Sequence, residues 1–268
     1  MTVAGCDSRS VSELQSYSWG ETSNPPIVLL HGLTDAGTTW PDAVRRWQGG
    51  YHLIAVDLRG HGRSPRFEPD QLTRCYQWWL SDTLDLLSTL DSPPVVVGHS
   101  LGGLFALRAA AARPELVRGL VLEDPARPPG APTPDPEFVA LNEAFLDSFG
   151  DGGQTQRDRM RAESRWAADE IDQWAASKPL VDRAMIHDGL TLGDGTWEPV
   201  FNGLTVPTLL VAPTDSPMAP DPALITNPLV QQVRLDGVGH TVRRDDAQAY
   251  HAVVDPFLAA VTAGSPAH

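Results

Sequence analysis

The chain has 268 residues, 41% of them hydrophobic, with 23 Gly and 24 Pro, which suits one globular core with an insertion and excludes disordered, collagen-like and solenoid chains. Lys and Arg number 20 against 34 Asp and Glu, and the resulting net charge of -14 repels phosphate backbones and anionic headgroups, so neither nucleic acid nor membrane is an expected partner. No apolar run approaches the roughly 18 residues of a membrane span, the start at Met1 lacks a secretory pattern, and Cys6 and Cys75 make neither a disulfide framework nor a zinc site, so a cytoplasmic protein is expected.

In chain order, residues 27–30, 52–56, 95–97 and 120–122 are short, β-branched or Leu-rich and unalternated, as strands buried on both faces must be. Helical spacing follows over 72–90 and 101–113, the second closed by Pro114. This alternation predicts a mostly parallel sheet with helices on both faces. Pro125, Pro128, Pro129, Pro132, Pro134 and Pro136 then forbid a continuous helix or ladder and mark a boundary. From 137 to about 192 the pattern is helical, with Met160, Ser164, Ala167, Ile171 and Trp174 on one face; strands resume at 208–211 and 230–235, and a helix over 245–261 ends the pattern. The expected organisation is a core of 1–125 and 204–268 with a helical cap inserted at 126–203.

The sequence Gly98-His99-Ser100-Leu101-Gly102 fits G-x-S-x-G, in which two small residues let a serine occupy a strained strand-to-helix turn with its hydroxyl exposed. A strand ends just before it and a helix opens just after, the context that the motif requires. Such a serine needs a base, and among eight histidines His240, in Gly237-Val238-Gly239-His240-Thr241 after the last strand, has the supporting context. His31, His61 and His99 fall inside other motifs and read as structural.

With His31-Gly32-Leu33 after one strand, Asp57-Leu58-Arg59-Gly60-His61-Gly62-Arg63-Ser64 after the next, the Ser100 turn and Gly239-His240 in this order, the chain resembles the α/β-hydrolase superfamily over about 17–258. The resemblance implies an α/β-hydrolase fold, a mostly parallel eight-stranded sheet flanked by helices with an inserted helical cap. It also implies an oxyanion hole from the backbone N–H groups of Leu33 and Leu101. For the triad acid it offers first Asp215, in the loop that members usually use, and second Asp124, with Glu123 beside it, in the loop that some members use instead. Asp124 lies 24 residues and His240 140 residues after Ser100, a spacing similar to that of fungal zearalenone-type lactone hydrolases.

A serine at position 100 excludes the aspartate-ester chemistry of epoxide hydrolases and haloalkane dehalogenases, and the absence of nucleotide and metal motifs leaves no cofactor and no metal expected. The expected function is hydrolysis of a small to medium, largely apolar carboxylic ester or lactone through an acyl-enzyme on Ser100. Carbon–carbon bond hydrolysis or perhydrolysis by the same triad, and a non-hydrolytic receptor or tailoring role, are the alternatives. Trp40 and Trp166 are candidate pocket residues, Trp174 reads as core, and Arg243 and Arg244 read as surface residues paired with Asp245 or Asp246. Lys178 is the single lysine, and no role is read from it.

Overall fold

The computed structural model describes residues 14–130 and 134–263; Cys6 and Pro132 lie outside them. Seven strands form one sheet: β1 (Ser16–Trp19), β2 (Pro26–Leu30), β3 (His52–Val56), β4 (Val95–His99), β5 (Gly119–Glu123), β6 (Thr208–Pro213) and β7 (Val230–Leu235). Their order is β1-β3-β2-β4-β5-β6-β7, parallel throughout except for β1, which runs antiparallel to β3 at the edge. Among the described residues the sheet thus has one strand fewer than the eight expected. β1, with Ser16 and Ser18 outward, is an edge strand whose half-buried pattern carries no long apolar run.

The helices are α1 (Pro41–Trp47), α2 (Cys75–Ser88), α3 (Leu101–Ala112), α4 (Pro136–Asp147), α5 (Gln154–Glu163), α6 (Ala168–Ser177), α7 (Arg183–Asp188), α8 (Glu198–Gly203), α9 (Val242–Asp245) and α10 (Ala247–Thr262). Why the strands read as unbroken apolar runs is visible in the two main core clusters. Val28 and Leu30 enter the cluster with Phe105 and Leu107 of α3, whereas Ile27 and Leu29 enter the one with Trp47 of α1 and Val254 of α10. Alternate residues therefore feed opposite faces, and each fully buried aliphatic side chain contributes about 1.5–3 kcal/mol.

Two helical readings are corrected. The stripe from Met160 to Trp174 is broken: α5 stops at Glu163, Ser164 turns its Oγ back onto the Met160 carbonyl at 2.6 Å, and an extended stretch leads to α6. The C-terminal helix also begins as two pieces, because Asp246 has φ -144° and caps α10 by accepting from the Ala249 N–H at 2.9 Å. α4 to α8 all lie between β5 and β6 in the chain; α4 and α6 supply residues to the cavity at the C-terminal ends of the strands, where α/β sheets carry their sites, whereas α8 packs against α3. Among the described residues no helix is long and apolar enough to cross a membrane.

Candidate active site

The turn between β4 and α3 holds Ser100 at φ 48° and ψ -112°, a conformation that costs about 1–3 kcal/mol and persists only where its surroundings enforce it. The enforcement is local. A Cβ on Gly98 would lie 2.6 Å from the Gly102 carbonyl oxygen, and one on Gly102 would lie 2.1 Å from that of Leu30, so neither position tolerates a side chain. The Ser100 N–H donates to the Glu123 carbonyl at 3.0 Å, and its own carbonyl accepts from Ala126 at 2.9 Å, which ties the turn to the end of β5.

That same strand end carries the acid that reaches His240. Asp124, buried and at φ 37°, accepts from Nδ1 of His240 through Oδ2 at 2.6 Å, and from the Ser216 hydroxyl through Oδ1 at 2.5 Å. Because a carboxylate only accepts, Nδ1 of His240 carries the proton and Nε2 presents a lone pair. Asp215 does not reach His240: it is exposed, and the loop after β6 turns its neighbour Ser216 inward instead, fixed by amide donors from Met218 and Ala219 at 3.1 Å each. Glu123 points to the other side of the sheet end, where Oε1 accepts from the Arg243 N–H at 2.7 Å; burial pushes its carboxyl up, with the Arg243 charge opposing.

The three remaining site histidines are structural in geometry. Nδ1 of His31 donates to the Gly32 carbonyl at 2.8 Å and its Nε2 accepts from Leu58; Nδ1 of His61 donates to the Arg59 carbonyl at 3.1 Å and its Nε2 accepts from Thr34. His99 donates from Nε2 to the His240 carbonyl at 3.1 Å, which ties the His240 loop to the serine turn. Burial pushes all three imidazoles below their usual value, and the neighbouring imidazole of His240 adds to the effect on His99.

Ser100, His240, Leu33 and Leu101 line one cavity of about 500 Å³, whose wall is shared by residues of α4 and α6 such as Phe138, Phe145 and Trp174. For neither the Leu33 nor the Leu101 backbone N–H is there an acceptor among the described residues. Trp40 and Trp166 are not in this wall. Trp40 is 1% exposed, under the Arg243 guanidinium at 4.7 Å, and Trp166 donates from Nε1 to Asp245 at 2.7 Å with the Arg244 guanidinium 5.0 Å from its ring. Trp174 is both core and lining: it packs on Phe149 at 5.0 Å and faces the cavity.

Arg243 and Arg244 are not surface residues. Both are buried, Arg243 bonding Glu170 at 2.5 Å and Arg244 bridging Glu170 at 3.0 Å and Asp35 at 2.8 Å. Lys178 joins them with Nζ 2.6 Å from Oδ1 of Asp35, and both Lys178 and Arg244 reach the cavity wall. Burial alone would raise the Asp35 carboxyl, but Arg244 and Lys178 together hold it well below the usual carboxylate range. Burial drives the Lys178 ammonium down to about 8 against the pull of Asp35. The signal available to sequence reading was the pairing of a lone lysine with an insertion, and it carries no direction in space. Among the described residues no group of three or more His, Cys, Asp or Glu side chains could hold a metal ion.

Known proteins resemble this chain in part and in whole. The lipase LipV of Mycobacterium tuberculosis is 36% identical over 121 residues, which are 43% of this chain and 43% of the lipase, so the match spans less than half of that relative's length. The (E)-2-((N-methylformamido)methylene)succinate hydrolase of Acinetobacter baylyi is 24% identical over 202 residues, 72% of this chain and 73% of that one. The structure of an esterase from Rhodococcus sp. superposes with a TM-score of 0.68 at 22% identity, over 92% of this chain and 94% of the esterase, which shows a shared fold. A family model described as "Alpha/beta hydrolase family" matches residues 27–254, and over that span the strand order and the strained serine turn follow one plan: the chain belongs to the alpha/beta hydrolase family.

Proposed function

We propose that the protein is a serine hydrolase of carboxylic esters or lactones, with Ser100 as nucleophile, His240 as general base and Asp124 as the triad acid. The observation that carries this reading is the 2.6 Å bond between Asp124 and Nδ1 of His240, which leaves Nε2 as the free base on the wall of the cavity that Ser100 also lines. Ser100 attacks the carbonyl carbon as its proton passes to Nε2 of His240, and Asp124 stabilises the imidazolium. The Leu33 and Leu101 amides receive the oxyanion, and the leaving alcohol takes the proton from His240. Water then attacks the acyl-enzyme by the same route and frees the acid. The acyl group fits a cavity of about 500 Å³ whose walls are mainly apolar, and the segment between β5 and β6 acts as the cap, with α4 and α6 lining the cavity.

The test is hydrolysis of p-nitrophenyl esters and aromatic lactones by wild type, Ser100→Ala, Asp124→Asn and Asp215→Asn. Wild-type turnover that Ser100→Ala abolishes, by about 10⁴- to 10⁶-fold in kcat/KM, supports the reading. A silent wild type whose Ser100 takes up no serine-reactive phosphonate overturns it.

A further inference from the structure

Thr34 follows the Leu33 amide and stands at φ 68°, a left-handed conformation that a β-branched residue adopts only under compulsion. Both of its backbone polar groups are held. Its N–H donates to Nε2 of His61 at 3.3 Å from below, and its carbonyl accepts from Nζ of Lys178 at 3.0 Å and, more weakly, from the Ser177 hydroxyl at 3.1 Å, whose single proton is shared with the Trp174 carbonyl at 2.7 Å. Ser177 ends α6 and Lys178 opens the 3-10 turn that follows it, both between β5 and β6 in the chain, so the loop after β2 is clamped by a segment remote in sequence.

A lysine at the wall of a reactive cavity invites the reading of a base or an anion ligand. Its geometry argues against both. The three ammonium protons have three acceptors within reach: the Thr34 carbonyl, Oδ1 of Asp35 at 2.6 Å and the Ser177 hydroxyl at 3.2 Å. The aromatic faces of Trp174 and Phe145 lie 5.3 and 5.9 Å away and cover the remaining side. Lys178 is 2% exposed, and burying an ammonium is costly where an apolar side chain of similar volume would pack as well. The bond is to the carbonyl of the Thr34–Asp35 peptide, whose Asp35 N–H donates at 3.1 Å to the Gly32 carbonyl of the peptide that carries the Leu33 N–H, and this gives that cost a use.

We propose that Lys178 is a positioning residue for the oxyanion hole: with Ser177 it fixes the Thr34 peptide, and through it the orientation of the Leu33 N–H toward the oxygen of the tetrahedral intermediate. This rests on the serine-hydrolase reading. The clamp acts on the transition state and not on ground-state binding, because an amide misaligned by a few tenths of an ångström loses most to the oxyanion, whose charge is the larger.

The experiment compares wild type with Lys178→Met, which keeps length and removes charge and donors, and with Ser177→Ala, which removes one donor to the Thr34 carbonyl and one acceptor of the Lys178 ammonium and leaves the Lys178–Asp35 ion pair in place. On a p-nitrophenyl ester, Lys178→Met should lower kcat about 10- to 100-fold with KM changed less than about twofold. A boronic acid that forms a tetrahedral adduct on Ser100 should lose affinity by a similar factor. Ser177→Ala should show the same pattern at about 3- to 10-fold, and it decides the matter if Lys178→Met fails to fold. An unchanged kcat and boronate affinity in a folded variant, or a rise in KM at constant kcat, overturns the proposal. A wild type that neither hydrolyses esters nor is labelled at Ser100 defeats the serine-hydrolase reading itself, and the two failures are told apart by that control.

Discussion

The ends of β5 and β6 each present an acid to the same region, and the two behave differently. After β5 the chain turns through φ 37° at Asp124, buries that side chain and brings both carboxylate oxygens onto partners, His240 and Ser216. After β6 the chain keeps Asp215 in solvent and sends the next residue inward. A carboxylate orients an imidazole only where it is desolvated and held, so the proposed triad acid belongs to the strand end with the strained buried turn, and the other strand end supplies a hydroxyl that bonds to it.

The largest test of that contrast is the pair Asp124→Asn and Asp215→Asn. The first should lose about 10⁴-fold in kcat, because an amide in that place no longer enforces the Nδ1–H tautomer. The second, at an exposed site, should stay within about twofold. Equal losses in the two, or a larger one at Asp215, would break the contrast.

A relocation sharpens it. In the Asp124→Asn background, Ser216→Asp places a carboxylate on the β6 loop at a residue whose Oγ already lies 2.5 Å from Asp124. Recovery of tenfold or more in kcat over the single variant would show that either strand end can supply the acid once the side chain points inward. No recovery would tie the role to the β5 turn. Alone, Ser216→Ala should cost about 3- to 10-fold in kcat, the loss of one charge-assisted hydrogen bond to Asp124, with the thermal midpoint lowered by a few degrees.

What the sequence could tell falls along the same line. Whereas the Leu33 and Leu101 amides rest on the family resemblance alone, the strands other than β1 and the Ser100 turn follow from local pattern, since each depends on residues within a few positions in the chain. The choice between Asp124 and Asp215 does not, because both follow strands and differ only in the turn that each makes and in what it meets across the sheet. Arg243 and Arg244 sit in a charged stretch that local pattern assigns to the surface, yet their partners Glu170 and Asp35 come from distant segments. Trp40 and Trp166 lie outside the cavity wall for the same reason: their indoles are covered or engaged by Arg243, Arg244 and Asp245, contacts with no signature in spacing.

The smallest expected effect concerns Glu123, the acid one residue before Asp124. It is buried but faces α9 and not the imidazole, and burial raises its carboxyl above the ordinary 4.5 despite the nearby Arg243 charge. The folded state therefore binds this proton to higher pH than the unfolded chain does, so across the window from 4.5 up to the raised value stability falls as pH rises. Above that window the whole cost of the buried anion is present. Glu123→Gln keeps an oxygen for the Arg243 N–H and removes the titration. Its urea midpoint, measured against wild type at several values of pH, should gain on wild type as pH rises from about 4.5 toward neutrality. A gap that stays constant, or one that moves the other way, would mean that Arg243 and its neighbours compensate the buried charge fully. Adjacent residues on one strand end would then differ in direction alone, and not in the cost of being buried.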